Sequence, residues 1–162
     1  MENTQENTSP IYKRLNELGI SLPKAGAPAA AYVMAKKMGS LIYVSGHIAK
    51  KDGQVWTGQL GKNMQTAQGK EAARAVGIDL LATLEAIIGD LNQVKEIVKI
   101  TSLVNSTSDF TEHHVVTNGC SELMLEVFGE SGKHARSAFG VAQLPLGACV
   151  EIELIAAVDP NS

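Results

Sequence analysis

Between Cys149 and Val158, Val150, Ile152, Leu154 and Ala156 take every second position, with Glu151 and Glu153 between the first three. Period two is the pleat of a β-strand, and it sends the aliphatic set to one face and the carboxylates to the other. Such a strand belongs in a sheet that is covered on one side only. The cover is legible in the same chain. Thr66 is placed to cap, and Gly89 to stop, a long helical stretch in which Ala73, Val76, Leu80, Leu84 and Ile87 form one stripe. A second stretch, opened by Ser108-Asp109 and ended by Gly129, carries the stripe Val116, Cys120, Leu123 and Val127.

The remaining segments supply more strands. Val94–Val104 is nearly continuous in β-branched residues, which predicts a strand inside the sheet. Ala30–Met38 and Leu41–Ala49 flank Gly39-Ser40, a hairpin signal. In the second of these Ile42, Val44 and Ile48 share one face, with Gly46 at the remaining position. Lys51-Asp52-Gly53 is a turn before a short strand, Gln54–Gly58. Ser137–Leu144 is joined to the terminal strand by Pro145-Leu146-Gly147-Ala148. Ser9-Pro10, followed by Ile11, Leu15 and Leu18 and then Gly19, reads as a short helix. The order β-β-β-α-β-α-β-β predicts an α+β fold: one mixed sheet, two helices on one face, the other face bare and suited to an oligomer contact. Residues 1–28 form an N-terminal extension with a short helix, and 29–159 one domain, as 162 residues lead one to expect.

The core has to be made from small groups. There are 19 Ala and 15 Gly against seven aromatic residues. Gly77 lies inside the first stripe, where glycine costs ~1 kcal/mol relative to alanine, so something is predicted to pack very close to it. Asn118-Gly119, a turn-type pair, interrupts the second helix.

Several functions are excluded or disfavoured. Fourteen Lys and Arg against 17 Asp and Glu give no general positive field to recruit nucleic acid. No run approaches the ~20 apolar residues of a membrane span, and the polar N-terminus lacks the apolar centre of a leader, so a soluble cytoplasmic protein is expected. Cys120 and Cys149 have no metal spacing and read as buried thiols. Phosphate-loop, dinucleotide, zinc-protease and serine-hydrolase motifs are absent. His113-His114 are adjacent and diverge by ~100° on a helix, so they do not chelate one metal. No metal and no cofactor is expected.

Arg136 and Glu151 bracket an uncharged stretch from Ser137 to Val150. A cation entering an apolar strand needs a partner, and an ion pair between neighbouring strands is the simplest one. If the flanking strands form a hairpin centred between Leu146 and Gly147, Arg136 sits opposite Ala157 and Glu151 opposite Ala142. The two then share a face but stand ~20 Å apart at ~3.4 Å per residue. Either they serve separate purposes, or a second subunit brings one to the other. A guanidinium suits a planar carboxylate, and a glutamate can orient water. Together they suit hydrolysis of an electrophilic small acid such as an imine.

The residues Ala135-Arg136-Ser137, Phe139, Ala142, Leu144-Pro145 and Val150-Glu151-Ile152-Glu153 resemble the C-terminal signature of the Rid/YjgF family. Leu41–Ile48 is similar to its strand ending in Ser-Gly-Gln-Ile-Pro, with Ser45 and Gly46 kept, and Ile97–Asn105 to its central strand. The resemblance runs from about Ala30 to Val158. It implies a chorismate-mutase-like fold, a homotrimer built around a barrel of sheets, clefts between subunits, and hydrolysis of 2-imino acids to 2-oxo acids and ammonia. On this resemblance Arg136 holds the substrate carboxylate and Glu151 positions the water, while Tyr32, Ser45, Gly46 and Asn118 line the cleft. The chain departs from the pattern at Ala30-Ala31, His47, His134 and Ala138, which makes His47, His134 and Ala138 candidate cleft walls. The alternatives are a non-catalytic trimer that binds a small carboxylate and, with less support, an endoribonuclease.

Overall fold

In the computed structural model, which describes residues 9–28 and 30–161, the alternating terminal strand lies at the centre of the sheet. The elements are α1 (Pro10–Glu17), β1 (Ala35–Met38), β2 (Leu41–Ile48), β3 (Lys50–Lys51), β4 (Gln54–Val55), α2 (Thr66–Ile88), β5 (Val94–Asn105), α3 (His113–Phe128), β6 (Ala135–Val141) and β7 (Val150–Val158). Five strands form the main sheet in the order β1-β2-β7-β5-β6. The β3–β4 ribbon stands apart from it. All main-sheet pairs are antiparallel except β5–β6, which is parallel.

The pleat of β7 is as its sequence dictates. Val150, Ile152, Leu154, Ala156 and Val158 are buried against the helices, while Glu151 and Glu153 face away. Helices α2 and α3 cover that one face. Ala73, Val76, Leu80 and Leu84 are buried, and Ile87, the last of the α2 stripe, is exposed. Each fully buried leucine of this kind contributes roughly 1.5–3 kcal/mol. Gly89 ends α2 in the left-handed region at φ 81°. The residue before the helix is Gln65 rather than Thr66, and its amide donates to Gln68 Oε1 at 2.8 Å.

Close approach explains the glycines. A Cβ at Gly77 would meet Leu123 Cδ2 at 2.8 Å and Cys120 Sγ at 3.2 Å. One at Gly119 would collide with the Lys70 carbonyl of α2. The turn-type pair at 118–119 is thus where α2 and α3 come nearest. Both cysteines are buried free thiols. Helix α1 is docked rather than free: Leu15 is buried, and Arg14 Nε donates to the Glu126 carbonyl at 2.8 Å. The expected boundary between residues 28 and 29 falls at Ala29, outside the described residues. Among the described residues no helix is long and apolar enough to cross a membrane.

Five expectations need correction. β1 is confined to 35–38, and α3 begins at His113 because a turn over 107–110 and two irregular residues precede it. β2 carries a bulge: Val44 pairs with Leu154 but His47 with Ile152, so one extra residue lies at Ser45-Gly46. A bulge reverses the face sequence beyond it, and His47 rather than Ile48 turns into the core. The uncovered face is less small-featured than expected, since Tyr43 and Phe139 are both large and exposed there. Finally, β6 and β7 are not a hairpin. The connector from 142 to 149 crosses the end of β5, so β5 lies between them. That crossing is held by Asn105, whose backbone N–H and Nδ2 donate to the Cys149 and Ala148 carbonyls at 2.9 and 3.1 Å.

Candidate functional site

The strand order changes the relation between Arg136 and Glu151. Arg136 is paired with Ile100, and Ile100 with Leu154; both partners are buried under the helices. Glu151 is paired with Leu103, and Leu103 with Phe139, in a row on the uncovered face. The arginine and the glutamate therefore project from opposite faces of the sheet, and the shared face expected from a hairpin is ruled out. Within one chain they belong to two separate clusters, each a candidate half-site.

The first half-site lies toward the β1–β2 edge. Ser45 Oγ donates to the Val33 carbonyl at 2.7 Å, and its amide to the Met34 carbonyl at 2.9 Å. These bonds bind the 33–34 segment, next to the exposed Tyr32, to the bulge in β2. Gly46 in that bulge lies beneath Glu151: a Cβ there would strike the carboxylate oxygen Oε1. Burial raises the Glu151 carboxyl above its ordinary range, and Glu153 on the same face adds to the rise. A cavity of about 250 Å³ opens beside this group, with Val33, Tyr43, Ser45, Lys99 and Glu153 among its walls. His47 does not join it. It is buried beneath the sheet, with Nδ1 2.6 Å from the Ser45 carbonyl and Nε2 2.8 Å from Thr83 Oγ1 of α2.

The second half-site is at the opposite, β6 edge. Arg136 Nη1 donates to Asn118 Oδ1 at 2.8 Å and to Ser121 Oγ at 3.3 Å. Asn118 and Ser121 are three apart on α3 and so share one helix face. Both are neutral, and among the described residues no carboxylate pairs with Arg136. The guanidinium is positioned without being neutralised. His134 stands beside it, with Nε2 2.8 Å from Ser121 Oγ and Nδ1 2.7 Å from the Gly132 carbonyl. Burial holds the His134 imidazole below its usual range, and the Arg136 charge pushes the same way. A cavity of about 230 Å³ is lined by Ser121, Leu125, Lys133, His134 and Arg136. Ala138 follows on the same face of β6, paired with the buried Ser102.

Of the residues singled out from sequence, the structure thus gathers Arg136, Asn118 and His134 at one edge. Ser45, Gly46 and Glu151 gather toward the other, and His47 is left in the core. Ser121 was missed, although its spacing from Asn118 could have found it. His113 is bonded to Ser106 Oγ at 3.0 Å and packed edge-on against Phe110, away from both half-sites.

The chain is similar over most of its length to known proteins. The family described as "YjgF/chorismate_mutase-like, putative endoribonuclease" matches residues 12–158. Protein TCP17 of Trypanosoma cruzi is 46% identical over 147 residues, covering 90% of this chain and 92% of the relative. A 2-iminobutanoate/2-iminopropanoate deaminase of Dermatophagoides farinae is 31% identical over 140 residues, covering 86% and 95%. A crystal structure of a protein of unknown function from Agrobacterium tumefaciens superposes with a TM-score of 0.85 at 40% identity, covering 92% of each chain. With the family match spanning nearly all of the described residues and a relative 46% identical over most of both chains, the chain belongs to the Rid/YjgF family.

Proposed function

We propose that this protein hydrolyses reactive 2-imino acids to 2-oxo acids and ammonia, at clefts formed between copies of the chain. The observation that carries the reading is the Arg136 guanidinium, fixed by Asn118 and Ser121 and paired with no acid among the described residues. Such a group is prepared for a planar carboxylate, which a guanidinium grips through two parallel bonds. The adjoining cavity of about 230 Å³ suits a short-chain acid and is smaller than the pockets that enclose drug-sized ligands.

Glu151 supplies the complementary part. A carboxylate over Gly46, once ionised, accepts hydrogen bonds from water and can orient it toward an imine carbon. Because the two half-sites lie toward opposite edges of one sheet, a head-to-tail contact between copies would bring the β6 edge of one against the β2 bulge of the next. Repeated head-to-tail contacts close into a ring where the rotation between copies closes, and a trimer of this kind fits the family resemblance. Tyr43 and Phe139 on the uncovered face would be buried in it. Relatives named as deaminases support the same chemistry. The formal charge of −3 weighs against RNA as the substrate.

The test is ammonia release from 2-iminopropanoate generated in situ, with size measured in parallel. Wild type should accelerate hydrolysis, and Arg136→Ala should lose about 100-fold or more in kcat/KM, the scale of a lost charged contact in a dry site, with its size unchanged. Equal turnover by Arg136→Ala would overturn the role of Arg136. Binding of a 2-oxo acid with no acceleration at all would show a carboxylate-binding protein instead.

A further inference from the structure

The reading above uses Ser121 of the Arg136 cavity only to hold the guanidinium, and gives His134 no task. Their hydrogen-bond directions can be worked out from the ends. The Gly132 carbonyl only accepts, so His134 Nδ1 carries a proton. In the neutral ring Nε2 is then an acceptor, and Ser121 donates its hydroxyl proton to it across 2.8 Å. A guanidinium only donates, so the Ser121 oxygen accepts from Arg136. The chain runs from Arg136 to Ser121 to His134 to Gly132. A hydroxyl bonded to a neutral imidazole, whose far nitrogen is fixed by a carbonyl, is the arrangement by which a base is held in one tautomer and orientation.

We propose that Ser121 and His134 form the proton relay of this site: the Ser121 hydroxyl touches the reacting atoms, and His134 is a positioning residue that stores the proton through it. This rests on the imine-hydrolase reading and names its missing acid–base group. Hydrolysis of an imine moves a proton from oxygen to nitrogen in each of two steps. In the first, the water oxygen bonds to the imine carbon and the π pair of the C=N bond goes to nitrogen. A water proton passes to Ser121 Oγ while the Ser121 proton passes to His134 Nε2. The imidazolium returns its proton through Ser121 to the nitrogen, giving a carbinolamine. In the second, the carbinolamine hydroxyl gives its proton to the same relay, the C=O bond forms and the C–N bond breaks. The nitrogen takes the returned proton and leaves as ammonia. One water is consumed, one ammonia is released, and the relay ends as it began.

The neighbouring groups leave this task to His134. Lys133, on the same cavity, is drawn to Glu130 at 2.9 Å, and Glu122 on α3 to Lys70 at 2.9 Å. The Cys120 thiol is fully buried, and burial pushes it up to about 12. Arg136 is the charge that acts on the ring, and with burial it keeps His134 neutral to lower pH.

The test measures kcat and KM with 2-iminopropanoate from neutral pH into the acid range, the generating enzyme being in excess. Wild type, Ser121→Ala, Ser121→Thr, His134→Gln and Arg136→Ala are compared, each checked for melting temperature and size. Ser121→Ala should lower kcat by about 100-fold or more, the usual weight of a proton-transfer group, with KM little changed because the shorter bond from Asn118 still holds Arg136 for the acid. Ser121→Thr keeps the hydroxyl and should recover most of kcat. Wild-type kcat should fall on acidification as His134 takes up a proton, and His134→Gln should lower kcat and abolish that acid limb. If wild type turns over the imine and Arg136→Ala does not, while Ser121→Ala and His134→Gln keep both kcat and the acid limb, the relay alone is overturned. If wild type gives no acceleration, the hydrolase reading falls and the relay with it.

Discussion

At position 47 an imidazole lies under the sheet, bonded to the Ser45 carbonyl and to Thr83 of α2. Burial lowers its pKa from the ordinary 6.5; Asp79 of α2 acts against the fall, and Lys50 of β3 with it. The sign for stability follows directly. The folded state binds this proton more weakly than the unfolded chain, so the contribution is whole above about 6.5 and is lost as pH falls below it. Urea midpoints should drop between about pH 7 and pH 5. His47→Gln should flatten that slope without erasing it, because His134 and His113 shift in the same direction. Equal slopes in the two proteins would show that His47 is not part of the response. The sequence named His47 but not its direction. One inserted residue at Ser45-Gly46 turned it inward, and nothing in the local alternation marks a bulge.

The α2–α3 crossing is where small residues matter at the scale of elements. At Gly119 an added Cβ meets backbone, the Lys70 carbonyl, which cannot rotate away. At Gly77 it meets the tips of Leu123 and Cys120 side chains. Gly119→Ala should therefore destabilise by about 1–3 kcal/mol, as overpacking does. Gly77→Ala should come out milder, because side-chain tips can shift where backbone cannot, while the ~1 kcal/mol gain in helix propensity is common to both sites. Urea unfolding of both variants checks this, and an equal or reversed ranking would refute the backbone contact. The excess of Ala and Gly announced such a crossing, and Gly77 was legible inside a clean stripe. Gly119 was harder to read, because Asn118 beside it has a different employment, holding Arg136.

For the whole molecule the decisive fact is that Arg136 and Glu151 leave opposite faces of one sheet. If each working site joins Arg136 of one copy to Glu151 of the next, two inactive variants can repair each other. Arg136→Ala and Glu151→Gln should each be nearly inactive alone. Dissociated, mixed in equal amounts and reassembled, they should regain about a quarter of wild-type sites, since a head-to-tail site needs one intact residue from each neighbour. No recovery after subunit exchange would place both residues in a site made by one chain.

The alternation in β7, the stripes of α2 and α3 and the glycine stop at Gly89 fixed the elements and the covered face, because periodicity and capping are local properties of a chain. Which strands become neighbours is not local. A β6–β7 hairpin and a connector crossing β5 are written in the same residues, and Asn105 bonding the far side of the crossing decided between them. The tertiary structure alone therefore set Arg136 against α3 with Ser121 and His134, and Glu151 on the face beyond.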